Sequence, residues 1–70
     1  MQNSLYLLSK NLKRIMDERE LTYSQVSKLT GISTKYLKKI ENQTAVRIKL
    51  SHLEKLCIGL KTDVKTLFEL

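Results

Sequence analysis

Between Thr30 and Thr34 the chain has only Gly31, Ile32 and Ser33 in which to end one helix and begin the next. That interval constrains everything around it. Upstream, the Thr22 hydroxyl is placed to cap a helix N-terminus, and Gln25 three residues on can complete a capping box. The helix so started spans residues 23–30, with Val26 and Leu29 expected to face inward. Gly31 follows at once, and glycine just past a helix end takes the left-handed conformation that other residues reach only at a cost. Ser33 then supplies a fresh cap, and Leu37 and Ile40 give the following helix its buried stripe. Two short helices joined by so little chain must cross at a steep angle.

That is helix-turn-helix geometry, and the apolar spacing elsewhere is helical too. Leu5, Leu8, Leu12 and Ile15 step by three or four, predicting an amphipathic first helix over residues 3–20. Leu53, Leu56, Cys57 and Leu60 predict a fourth helix. It begins at Ser51, where Ser51 and Glu54 have capping-box spacing, or a few residues earlier. Asp63 caps a last short helix holding Val64, Leu67 and Phe68. Between helices three and four, residues 43–49 read as a connecting loop with one or two apolar anchors. The alternation of Val46, Ile48 and Leu50 leaves an extended stretch open. The expectation is an all-α fold of five helices, one domain over residues 1–70.

Seventy residues lie near the lower size limit for a single core without staples. No disulfide can supply one, because Cys57 is the only cysteine. That suits a reducing, cytoplasmic setting, and Cys57 itself reads as a core thiol. The apolar run of residues 5–8 is too short for a signal peptide or a membrane span.

Charge is concentrated. The net charge is +6, and residues 28–49 contribute +5 of it, whereas residues 1–27 carry +1 and residues 50–70 balance. A patch of one sign suits a polyanion-binding surface, although charge alone fits a solvated basic face equally well. The third helix separates the two. With its inward direction midway between Leu37 and Ile40, Lys35 and Asn42 point outward, and Lys38 and Lys39 lie roughly 130° from the core direction. Thr34 and Tyr36 fall on opposite shoulders, and Glu41 near the inward side. The outward face offers cations and donors without the i,i+4 carboxylates that accompany solvated lysines. A phosphate backbone would offset the lysines' repulsion through counterion release, and a helix fits the major groove.

Leu21-Thr22, Val26-Ser27, Gly31-Ile32-Ser33, Leu37, Ile40-Glu41 and then Leu53, Leu56, Leu60 and Leu67 resemble the Cro/C1-type (XRE-like) helix-turn-helix family, over nearly the whole chain. The resemblance implies a five-helix repressor-like domain whose members regulate transcription and bind palindromic operators as dimers. It makes Thr34, Lys35 and Lys39 base-edge readers, with Tyr36 and Lys38 assisting. Thr22, Tyr23 and Gln25 would meet phosphates at the start of helix two, and Lys38, Asn42, Thr44 and Arg47 would grip the adjacent backbone. The chain also departs from the pattern. Tyr23 stands where glutamine is frequent. Met16 replaces an arginine that pairs with the glutamate at the position of Glu41, leaving Glu41 to Arg14, to Lys38 or to solvent. Lys61 replaces the customary glycine after helix four, suggesting a different helix end.

The expected function is a sequence-specific double-stranded DNA-binding regulator, most simply a repressor acting as a homodimer on an inverted repeat. The alternative is an adaptor or antitoxin that uses the same fold to grip a regulatory protein partner. Phe68 and Leu70, with Leu5 and Tyr6, suggest a symmetric dimer contact, the other reading being loose terminal packing. His52 reads as a surface residue at the start of helix four, with no partners for a metal site or a catalytic triad. No enzymatic activity, cofactor or membrane association is expected.

Overall fold

The computed structural model describes residues 4–44 and 48–70, and the described residues form five helices and no strand. They are α1 (Ser4–Glu18), α2 (Tyr23–Thr30), α3 (Thr34–Glu41), α4 (Leu50–Leu60) and α5 (Val64–Leu67). The core joins Leu8, Leu12, Ile15 and Met16 of α1 to Val26, Ile32, Leu37, Ile40, Leu56, Leu60 and Leu67. Helix α1 packs on α3 and α5, and α2 packs on α3 and α4. The all-α, five-helix architecture is therefore the expected one, and helices two and three run over the expected residues.

Local chemistry explains most helix starts. The Thr22 hydroxyl accepts from the Gln25 amide at 3.2 Å while Gln25 Oε1 accepts from the Thr22 amide at 2.8 Å, a complete capping box. Ser33 Oγ accepts from the Tyr36 amide at 3.2 Å, and an Asp63 carboxylate oxygen accepts from the Thr66 amide at 2.8 Å. Helix α4 is the exception. It starts at Leu50 with Lys49 in the cap position and no side-chain cap, so the Ser51–Glu54 box does not form. Ile48 is seated against the core just before the helix, and Ser51 falls inside the first turn, where a hydroxyl no longer caps.

The helix ends hold two surprises. Helix α1 stops at Glu18, two residues short of the expected limit, and Glu20 takes a left-handed φ of 53°. Lys61 likewise adopts φ 52°, so α4 ends as a glycine would end it. The substitution has changed the residue and its conformational cost, not the geometry.

Long-range polar bonds fasten the frame. Buried Asn11 donates its side-chain amide to the carbonyls of Leu67 and Glu69, each at 2.9 Å. Ser9 Oγ donates to the Glu41 carbonyl at 2.8 Å, and the Arg19 guanidinium donates to the Leu60 carbonyl. Arg14 pairs with Glu69 at 3.6 Å, not with Glu41. Among the described residues no cation pairs with the half-buried Glu41 carboxylate. Leu29, expected inward, is 52% exposed, and Thr30 is buried in its place.

Candidate nucleic-acid interface

The turn between α2 and α3 sets the pose of the basic helix, and four groups hold it. Gly31 has φ 78°, and its amide donates to the Ser27 carbonyl at 2.8 Å. Thr30 folds its hydroxyl back onto the Val26 carbonyl at 2.7 Å, and the same oxygen accepts from the Ile32 amide at 3.2 Å. Ile32 plugs the core at 2% exposure. Gly59 of α4 lies directly beneath: a Cβ there would stand 2.5 Å from the Leu29 carbonyl oxygen and 2.8 Å from Thr30 Cγ2. That close approach leaves no room for a side chain at position 59, so α2 and α4 meet there backbone to backbone and against Thr30.

With α3 so placed, Leu37 and Ile40 are buried, and Thr34, Lys35, Lys38, Lys39 and Asn42 are exposed. The outward face contains no carboxylate. Glu41 is half-buried on the other side, with its backbone held by Ser9. Helix α3 ends at Asn42, and Gln43 takes a left-handed φ of 58°. The Thr44 amide then donates to the Lys39 carbonyl at 2.9 Å, which fixes exposed Thr44 beside the end of the helix. Arg47 lies outside the described residues.

The start of α2 adjoins this face. Lys38 Nζ sits 6.0 Å from the centroid of the Tyr23 ring, within cation–π range. Thr22 and Gln25 are exposed. Their capping oxygens are occupied as acceptors, while among the described residues nothing accepts from the Thr22 hydroxyl or the Gln25 side-chain amide. The structure thus brings Thr22, Tyr23 and Gln25 together with Lys38 in one donor-rich corner.

Tyr36 differs from its neighbours. It is half-buried, and its ring centroid lies 4.2 Å from that of His52 at an interplanar angle of 44°. His52 is consequently no plain surface residue. It is half-buried in the first turn of α4, and its Nδ1 is buried with no hydrogen-bond partner among the described residues. Burial first, then the charges of Lys49 and Lys55, hold the imidazole below its ordinary pKa. Sequence periodicity gave no sign of this pair, because its members belong to different helices.

At the other end, Phe68 is half-buried against the core and Leu70 is 85% exposed. Ile58 stands 79% exposed on α4, and Val64 is also exposed. Cys57 is half-buried, its thiol pushed up in pKa by burial and then by Asp63. Among the described residues no three His, Cys, Asp or Glu side chains gather as a metal site, and no helix is long and apolar enough to cross a membrane. A family model described as Cro/C1-type HTH DNA-binding domain matches residues 11–70. Neither a curated protein nor a solved structure matches the chain.

Proposed function

The chain belongs to the Cro/C1-type helix-turn-helix DNA-binding family, and from that membership we propose a sequence-specific, non-enzymatic, cytoplasmic regulator that binds double-stranded DNA as a homodimer. Its simplest mode is repression by occupancy of an inverted-repeat operator. One observation supports the reading most: the exposed face of α3 carries Lys35, Lys38 and Lys39 with Thr34 and Asn42 and no carboxylate. Thr34, Lys35, Lys39 and Tyr36 read base edges, where lysine donates to guanine O6 and N7. Thr22, Tyr23 and Gln25 engage phosphates from the start of α2, with Lys38, Asn42, Thr44 and Arg47 on the adjoining backbone. The exposed side chains of Leu70, Ile58 and Val64 favour a partner at the α4–α5 end, and a second copy there presents two α3 helices to one duplex. Phe68, half-buried at the same end, joins that contact.

The test is selection of bound duplexes from a random library at near-physiological salt. An enriched inverted repeat, with half-sites about 34 Å apart, is the expected outcome. Lys35→Ala and Lys39→Ala should then relax preference at particular positions, whereas Lys38→Ala and Arg47→Ala should each flatten the salt slope by about one unit. A folded protein that enriches nothing would mean that the basic face serves only non-specific binding. A salt-independent protein partner would then favour the adaptor or antitoxin role.

A further inference from the structure

Tyr36 is the aromatic group on a face otherwise made of flexible lysines and small polar side chains, and its ring packs against a ring from another helix. A lysine reaching toward a base loses the freedom of four rotatable bonds on contact. A tyrosine has only two side-chain torsions to fix, so it recognises at low entropic cost when something already holds its ring. Here His52 does. Its imidazole lies 4.2 Å, centroid to centroid, from the phenol ring in a tilted arrangement, slightly closer than the usual spacing of aromatic pairs. Among the described residues Nδ1 of His52 is buried without a hydrogen-bond partner, which is a cost. The ring is packed against Tyr36 from the first turn of α4.

We propose that His52 is a positioning residue for recognition: its ring, delivered by α4, holds the Tyr36 ring on α3 in the orientation that reads the operator. The inference rests on the DNA-binding role proposed above and adds a residue that the recognition helix itself does not contain. It also ties the placement of α4 to base preference, because a shift of the first turn of α4 moves the ring that Tyr36 leans on.

His52→Phe keeps a ring at the contact and removes the unpartnered nitrogen. His52→Gln keeps comparable length and polarity but removes the ring. In duplex selection and competition binding, His52→Phe should retain the wild-type preference. His52→Gln should lose roughly three- to tenfold discrimination at the base pair that Tyr36→Ala flattens. Affinity for an unrelated duplex should be the same in all of these proteins, and the double substitution should be no worse than Tyr36→Ala alone. Wild-type preference in folded His52→Gln overturns the proposal, and so does an equal loss on every duplex. A second measurement needs no substitution. Nuclear Overhauser contacts between the Tyr36 and His52 ring protons are expected in the wild-type protein, and their absence overturns the proposal. Failure of the wild type to select any duplex removes the sequence-specific reading instead, which the ring contacts alone would not do.

Discussion

The two tight turns of this molecule share a plan and differ in how it is carried out. Gly31-Ile32-Ser33 joins α2 to α3, and Lys61-Thr62-Asp63 joins α4 to α5. In each, a left-handed residue stops one helix, a linking residue follows, and a side-chain oxygen caps the next helix. At the second turn the Thr62 amide reaches back to the Cys57 carbonyl at 2.9 Å, a backbone bond that closes the helix end. Leu21 and Thr44 close their helices in the same way, on Met16 and Lys39. At the first turn that bond is replaced. The Ile32 amide bonds to the Thr30 hydroxyl, which passes the interaction on to Val26. The turn that sets the basic helix is thus secured by a buried side chain and a glycine, and the turn that sets a four-residue helix by backbone and a strained lysine. The same plan is carried by a buried side chain at one turn and by backbone at the other.

Removing the side-chain relay should break the comparison most severely. Thr30→Val keeps the shape of a buried residue and deletes its hydroxyl, leaving the Ile32 amide without its partner. A loss of about 1–3 kcal/mol is expected in urea denaturation, a large share of what a domain this small commands. Thr62→Val at the matching end, where the backbone amide does the work, should cost much less. Equal losses would mean the relay has no special weight.

Exchanging the left-handed residues should act in opposite directions. Lys61→Gly relieves strain and should stabilise by about 1 kcal/mol, raising Tm by about 4–8 °C. Gly31→Lys should cost about the same. A Cβ at Gly31 meets nothing within 4 Å, so the penalty would be conformational and not a clash. Calorimetry on both variants gives the signs, and a destabilised Lys61→Gly protein would refute the strain assigned to Lys61.

The smallest expected difference is in acid. Hydrogen bonds from Thr66 hold the Asp63 carboxyl below its ordinary value of 3.8. A depressed folded pKa means that the stabilisation is fully present above the unfolded value and disappears as pH falls through the folded one. The α4–α5 turn should therefore loosen below about pH 4, while the Ser33 cap, which does not titrate, should hold α3 in place. Asp63→Asn keeps a capping oxygen without the titration. Hydrogen exchange of the α5 amides should then stay constant with pH, after correction for intrinsic rates, where the wild type loses protection. An identical profile in both proteins would assign the acid response elsewhere.

What could be read in the sequence follows range. Thr22 with Gln25, Gly31, Ser33 and Asp63 act on neighbours a few residues away, and each does what its position predicts. The outward lysines of α3 followed from Leu37 and Ile40 by periodicity alone. Errors appear where a distant element decides. Ser51 has the spacing of a cap, yet the helix it would start is set by a chain already anchored at Ile48. Leu29 has the spacing of a core residue, yet it is Thr30 that is buried. Lys61 read as a change of helix end, because sequence registers a missing glycine and not the willingness of lysine to take its conformation. Asn11 and the His52–Tyr36 contact left no local trace at all.

Asn11 also carries a consequence for the order of folding. Its two amide hydrogens bond to carbonyls 56 and 58 residues further along the chain. On a ribosome, α1 emerges first and has most of its core partners once α4 is out, but it still lacks both acceptors for a side chain that must be buried. Closing so long a loop comes at an entropic cost that only completed contacts offset. Assembly up to α4 therefore leaves α1 with an unmet need that only α5 and the residues after it can fill.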